Sequence, residues 1–110
     1  IIISYAHCIA HGYDLIRGLD QQKAAVQSGY WPLYRYNPDL AQQGKNPLTL
    51  DSKEPSIPFE QYAYNESRYR MLTQSDEARA EMLMKQAKEA ITRRWTFYQQ
   101  MAAMTEPAPK

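Results

Sequence analysis

The sequence is poor in cysteine and glycine, and its charges of opposite sign nearly balance. Its 110 residues include one cysteine, four glycines and two histidines. A single cysteine excludes a disulfide framework within the chain and agrees with a cytoplasmic localisation. Thirteen basic against twelve acidic residues leave a net charge of +1, which gives no electrostatic footprint for nucleic acid or an anionic membrane. No apolar run approaches the roughly 20 residues of a membrane span, so we expect no nucleic-acid partner and no membrane partner.

Apolar and aromatic residues are plentiful, because 44% of the chain is hydrophobic and nine residues are tyrosines. This composition is typical of a packed globular piece. The chain opens with Ile1 rather than methionine, and we expect it to be an internal piece of a larger protein. We predict an α/β fragment, a single partial domain over 1–110, with a strand, helix and hairpin part in 1–58 and a helical part in 59–105. The elements expected before residue 59 are a strand over Ile1 to Tyr5, a helical turn over Tyr13 to Arg17, a helix over Leu19 to Ser28, and paired extended runs over Leu33 to Tyr36 and Leu48 to Leu50.

The second half of the chain predicts helices. Pro58 suits a first helical position, and Asn65 is expected to cap a short helix that runs to Leu72. Ser75 is the expected N-cap of a long helix to about Ala103, before a loose tail at Pro107 and Pro109. The apolar stripe predicted for this helix recurs at intervals of three and four residues and contains Ala80, Leu83, Ala87, Ile91, Trp95, Tyr98 and Ala102.

The cysteine lies in the predicted strand-to-helix turn, Ala6 to Gly12, that follows the first strand. Ligands and cofactors gather at such strand ends in open α/β sheets, so Cys8 occupies a candidate functional position. Most free cysteines are small buried hydrophobes, and that interpretation stays open for Cys8. His7 and His11 suggest a metal site, but no carboxylate lies near them in the sequence. They are more simply explained as imidazoles that bond backbone groups of the turn or pack beside a cluster bound there.

The segment that contains Tyr30, Trp31, Tyr34 and Tyr36 is rich in aromatic residues. Stacked bases are one possible ligand for such a platform. The alternation of an extended run instead places one aromatic face against the protein. We favour a sealing role, since the net charge of +1 argues against nucleic acid.

Four runs of sequence resemble the C-terminal end of pyruvate:ferredoxin (flavodoxin) oxidoreductases, and more narrowly the last part of their thiamine-diphosphate-binding domain. The runs are SYAHCIAHG (Ser4 to Gly12), LDQQKAAVQSGYWPLYRYNP (Leu19 to Pro38), GKNPLTLDSKEP (Gly44 to Pro55) and NESRYRML (Asn65 to Leu72). The resemblance implies the C-terminal end of a parallel-sheet thiamine-diphosphate-binding domain, with a strand, a helix and short strands followed by helices.

The resemblance also implies an activity and a role for Cys8. The family decarboxylates pyruvate on thiamine diphosphate with Mg²⁺, releases acetyl-CoA and CO2, and passes electrons through 4Fe-4S clusters to ferredoxin or flavodoxin. The cysteine of its CIAHG-type loop is the fourth ligand of the cluster nearest the thiamine, and Cys8 matches it. The other cluster ligands and the magnesium and diphosphate ligands match no residue of this chain. We therefore expect the isolated chain to bind no cofactor, contain no catalytic residue and be inactive.

The expected partners are the remainder of the parent enzyme, its second subunit in a homodimer, and ferredoxin or flavodoxin. Two alternatives belong to other classes of protein. The chain would be a small helical interaction module without catalysis if its long amphipathic helix docks a partner. It would be a small nucleic-acid binder if the tyrosine-rich run stacks bases, and binding would then depend on salt.

Overall fold

The structure is a computed structural model that describes residues 1–105. The tail predicted at Pro107 and Pro109 lies outside the described residues. The helices, in chain order, are α1 (Gly18–Gln27), α2 (Asp39–Gln42), α3 (Phe59–Ala63), α4 (Ser67–Ser75) and α5 (Glu77–Ala102). The strands are β1 (Tyr34–Tyr36) and β2 (Leu48–Leu50), and two 3-10 turns span Ile9–His11 and Leu15–Arg17. The α/β composition is confirmed. Within the described residues, the one sheet has two strands.

The strand predicted for Ile1 to Tyr5 is wrong for this chain. These residues have no regular secondary structure, and the side chains of Ile1, Ile2 and Ile3 are exposed. A strand requires a neighbour that pairs with its backbone groups. Tyr5 still packs inward, because its ring lies 5.4 Å from that of Trp31.

The hairpin is confirmed and has an unexpected insertion. β1 and β2 pair in antiparallel fashion, with Arg35 opposite Thr49. The connection between them contains α2, which the sequence interpretation missed. Pro38 is the N-cap of this short helix, and the side-chain oxygen of Asn37 just before it accepts a hydrogen bond from the backbone N–H of Asp39 at 3.1 Å. An asparagine followed by proline is a known local signal for such a start.

The helix that follows the first 3-10 turns ends as predicted. α1 covers Gly18–Gln27, and Ser28 forms its C-cap. Gly29 then adopts a left-handed backbone with φ of 74°. An added Cβ there would stand 2.8 Å from Cγ of Pro55, so glycine is required by both conformation and space.

Three predicted helix starts are displaced by one residue. Pro58 is the N-cap of α3 rather than its first helical residue, and Glu66 rather than Asn65 precedes α4. Asp76 caps α5, because its carboxylate accepts from the backbone N–H of Arg79 at 3.0 Å. Ser75 instead ends α4, which runs beyond the predicted Leu72. Neither Pro58 nor Glu66 makes a side-chain cap hydrogen bond, so no capping contact fixes these two boundaries, and helix ends are generally the least certain part of a sequence-based prediction.

The apolar stripe of α5 is confirmed at most positions and wrong at one. Ala80 and Trp95 are buried, whereas Leu83 is 42% exposed. Met84 takes the inward place and packs against the core with Ala87 and Ile91. A step of four residues from Ala80 to Met84 fits the helical period as well as a step of three, so both residues were compatible with the pattern.

The core is small and aromatic. Its buried residues come from α1 and α3 and are Ala25, Phe59, Tyr62 and Ala63. The ring of Tyr30 stacks on Tyr62 at 4.9 Å and on Phe59 at 5.8 Å. The molecule measures 59 × 30 × 22 Å with a radius of gyration of 17.3 Å, whereas a compact chain of this length would have about 13 Å. Much apolar surface therefore remains uncovered.

Candidate functional site

Cys8 stands at the head of a tight turn. Its own backbone is extended, and the 3-10 turn Ile9–His11 follows immediately. The backbone N–H of His11 donates to the carbonyl of Cys8 at 3.0 Å. Gly12 closes the turn in the left-handed region with φ of 69°. The thiol is free and exposed, so the interpretation of Cys8 as a buried hydrophobe is wrong for this chain.

One side of the turn is fixed by His7. Its imidazole meets the ring of Tyr13 edge-on, with ring centroids 5.6 Å apart. It also lies over the start of α1, where a Cβ added to Gly18 would be 2.9 Å from His7 Nε2. The pKa of the Tyr13 hydroxyl is raised, first by desolvation and then by the nearby Cys8 and Glu66. The residue before the cysteine is therefore held by packing.

The other side of the turn rests on Glu66, at the start of α4. Glu66 is fully buried. Its carboxylate accepts from Gln21 Nε2 at 3.1 Å and from Arg68 Nε. His11 Nδ1 lies 3.8 Å from Glu66 Oε2, beyond hydrogen-bonding range but close enough for an ion pair if His11 is protonated. The carboxylate thus lies between the core and the cysteine turn.

The buried carboxylate belongs to a longer polar network. Arg68 also donates to the hydroxyl of Tyr62 at 3.4 Å, and the hydroxyls of Tyr62 and Tyr5 are 2.7 Å apart. Burial, followed by the hydrogen bond with Tyr5 and the charge of Glu66, raises the pKa of Tyr62. Burial lowers the pKa of Arg68, but its hydrogen bond to Glu66 and the charges of Tyr69, Glu66 and Tyr62 together outweigh burial, so the net pKa is raised. The network therefore keeps Arg68 charged and Tyr62 neutral.

The sequence predicted the cysteine turn but not Glu66, the charged residue that lies beside His11. It also predicted that His7 and His11 bond backbone groups of the turn, but the Nδ1 atom of each finds no hydrogen-bond partner within residues 1–105. Glu66 lies 55 residues from His11, and nothing in its local sequence indicates burial. No group of three potential metal ligands occurs in the described part of the chain. Within the described residues, Cys8 therefore has no pair of other potential metal ligands beside it.

The aromatic run divides between the core and the surface. Tyr30 and Trp31 pack against the core cluster, which agrees with a sealing role. Tyr34 stacks on Tyr98 of α5 with ring centroids 5.0 Å apart. Tyr36 remains exposed. The run is therefore not one continuous stacking platform.

Hydropathy adds one observation on the helices. Among residues 1–105, none of the helices combines the length and apolar character needed to cross a bilayer.

Comparison with known proteins finds relatives that contain a segment similar to this chain. No protein-family model matches the sequence. The pyruvate-flavodoxin oxidoreductase of Trichormus variabilis is 52% identical over 103 residues, which are 94% of this chain and 9% of that protein. The pyruvate:ferredoxin oxidoreductase of Moorella thermoacetica is 43% identical over 102 residues, or 93% of this chain and 9% of that protein. The probable pyruvate-flavodoxin oxidoreductase of Escherichia coli is 42% identical over 106 residues, or 96% of this chain and 9% of that protein.

These relatives are oxidoreductases, and the matches cover nearly all of this chain. The chain is homologous to one short segment of the pyruvate-flavodoxin and pyruvate:ferredoxin oxidoreductases. It spans about a tenth of the length of the relatives it matches.

Proposed function

We propose that this chain is the segment of a pyruvate oxidoreductase that supplies one thiolate ligand, Cys8, to a 4Fe-4S cluster. The enzyme decarboxylates pyruvate to acetyl-CoA and CO2 and passes two electrons, one at a time, to ferredoxin or flavodoxin. The observation that carries the proposal is 52% identity over 94% of the chain to a pyruvate-flavodoxin oxidoreductase.

The exposure of Cys8 supports its proposed role as one ligand of such a cluster. A 4Fe-4S cluster is held by four thiolates and supplies one-electron transfer when bound. Cys8 is exposed and free, so its sulfur is accessible to a ligand that approaches from outside this segment. With one cysteine in the chain, the other three thiolates come from elsewhere in the longer polypeptide.

The remaining cofactors are assigned to the rest of the enzyme. Thiamine diphosphate and Mg²⁺ require diphosphate-binding and carboxylate groups, and the described residues bring no three potential metal ligands together. We propose that this segment forms the C-terminal end of a parallel-sheet thiamine-diphosphate-binding domain and is inactive alone. Its partners are then the remainder of the enzyme, a second subunit in a homodimer, and the electron acceptor in the cytoplasm.

The experiment is the substitution Cys8→Ser in the full-length enzyme that contains this segment. We expect the cluster nearest the thiamine to be impaired and flavodoxin or ferredoxin reduction to slow more than decarboxylation, because decarboxylation precedes electron transfer. Low-temperature EPR measures the cluster, and release of labelled CO2 measures decarboxylation.

A matched control is Ser4→Ala, a small exposed change four residues earlier on the same segment. It should leave both measurements unchanged. An unaltered EPR spectrum and unaltered acceptor reduction in Cys8→Ser would remove the assignment. That result would favour the helical interaction module without catalysis.

A further inference from the structure

We infer that the start of α4 is a positioning element for the Cys8 thiolate, acting through Gly12 and His11. This inference rests on the proposed function, since it concerns how the ligand is aimed. Glu66 and Ser67 are the residues involved, and both contact the cysteine turn at its end, at His11 and Gly12. Three sets of contacts carry the inference.

The first set joins Ser67 to Gly12. The backbone N–H of Ser67 donates to the Gly12 carbonyl at 2.6 Å. A Cβ added to Gly12 would stand 2.6 Å from Ser67 Cβ and 2.8 Å from Ser67 Oγ. The space is therefore filled, and the last residue of the cysteine turn rests directly on the first residue of α4. Any change in this contact must move the turn or the helix.

The second set fixes Glu66 itself. Its carboxylate is held from two sides, by Gln21 on α1 and by Arg68 on α4. Gln21 also donates to the Tyr62 carbonyl at 3.0 Å. The start of α4 is thereby tied to α1 and to the aromatic core. It forms a rigid support rather than a frayed helix end.

The third set holds the opposite side of the turn. His7 is packed against Tyr13 and the backbone of Gly18. Both neighbours of the cysteine turn are thus anchored, while the thiol itself remains exposed. Supporting contacts of this kind orient a ligand before the metal binds, and their loss changes metal affinity and redox properties.

The test compares two crowded glycines in the full-length enzyme. Gly12→Ala introduces both a left-handed alanine and a clash with Ser67. Gly29→Ala is the matched control, because Gly29 has φ of 74° and its added Cβ would stand 2.8 Å from Pro55, away from the cysteine turn. Both variants should lose melting temperature. We expect only Gly12→Ala to change the EPR g values and midpoint potential of the cluster, and to change the alkylation rate of Cys8 several-fold in cluster-free protein, followed by peptide mass mapping.

Two further variants keep the test decisive. In Gly12→Ala with Ser67→Gly, the clashing Cβ and Oγ are gone, so the potential and the alkylation rate should return toward wild type. Ser67→Pro removes the N–H that bonds Gly12 at a first helical position where proline is tolerated, and the extended Glu66 backbone permits it. The Ser67→Pro variant should retain α4 and still shift the midpoint potential of the cluster and the alkylation rate of Cys8. It therefore tests the inference even if Gly12→Ala fails to fold.

The inference is overturned if Gly12→Ala or Ser67→Pro leaves potential and alkylation as in wild type. It is also overturned if Gly29→Ala shifts them equally. Failure of the proposed function looks different, because Cys8→Ser would then leave the cluster unaltered. The alkylation measurement still tests positioning in that case, since it requires no cluster.

Discussion

Asn46 closes the C-terminal end of the longest helix from a distant loop. Its side-chain nitrogen donates to the carbonyls of Met101 at 2.8 Å, Ala102 at 3.0 Å and Met104 at 2.9 Å. Its side-chain oxygen accepts from the backbone N–H of Leu48 at 2.8 Å. The last carbonyls of a helix lack partners within the helix, so this amide supplies a cap that local sequence does not.

Removal of the amide should therefore destabilise both elements. The amide nitrogen carries two hydrogens and so makes at most two full hydrogen bonds to these three carbonyls. Two donated bonds and one accepted bond at about 1 kcal/mol each give an upper bound of about 3 kcal/mol for Asn46→Ala, and partial solvent access lowers this to about 2 kcal/mol. Urea unfolding of the chain measures the free energy of unfolding. Hydrogen exchange should be faster at Ala103, the C-cap of α5, whose N–H donates to the carbonyl of Gln99.

The nearly isosteric variant Asn46→Asp separates capping from packing. It retains the oxygen that accepts from Leu48 but turns a carboxylate toward carbonyl oxygens at the negative end of the helix dipole. At neutral pH the loss should equal or exceed that of Asn46→Ala. The folded-state pKa of the introduced carboxyl is raised, so stability should recover as pH falls, when the protonated group can donate. Wild-type stability of Asn46→Asp at pH 7 would refute the reasoning.

Three further outcomes follow from burial and charge. Trp95 is 8% exposed, so Trp95→Ala should lower the free energy of unfolding by about 3–5 kcal/mol. Trp95→Phe should lower it far less, since the indole N–H has no hydrogen-bond partner in the described chain. Equal melting temperatures for Trp95→Ala and wild type would contradict this prediction. Glu66→Gln should cost about 3 kcal/mol in urea unfolding, because it leaves the Arg68 charge without its buried partner, and a cost no larger than that of Glu60→Gln would argue against it. The hydrogen bond from Lys88 lowers the pKa of Glu60 below its ordinary 4.5. Wild type should therefore be more stable than Glu60→Gln by about 0.5 kcal/mol, as expected for a partly exposed pair. This difference in stability should be complete above pH 4.5 and disappear as pH falls through the folded-state pKa, and a difference that persists at pH 2 would contradict the assignment.

Local chemistry determined a large part of the secondary structure. The extent of α1 follows from helix-forming residues that end at a glycine free to adopt positive φ. The apolar period of α5 and the acidic residues at its start placed that helix within two residues at each end. The hairpin strands were likewise apparent from their alternation and the turn residues between them. The resemblance of four runs to a known family, and the position of Cys8 within it, were also contained in the sequence.

Only the tertiary structure decided which residues meet across long separations. Ile1 to Ile3 favour a strand by residue type, yet a strand forms only where a partner supplies hydrogen bonds, and none pairs with them here. Leu83 and Met84 fit the same period, and packing against the core selected Met84. From its local sequence, Glu66 would be predicted to be an ordinary surface carboxylate. Its charge can be buried only because Arg68 and Gln21, the latter from another helix, donate hydrogen bonds to it. The contact of Ser67 with the cysteine turn could not be predicted from the sequence for the same reason. It is a backbone hydrogen bond between Ser67 and Gly12, which are 55 residues apart in the chain.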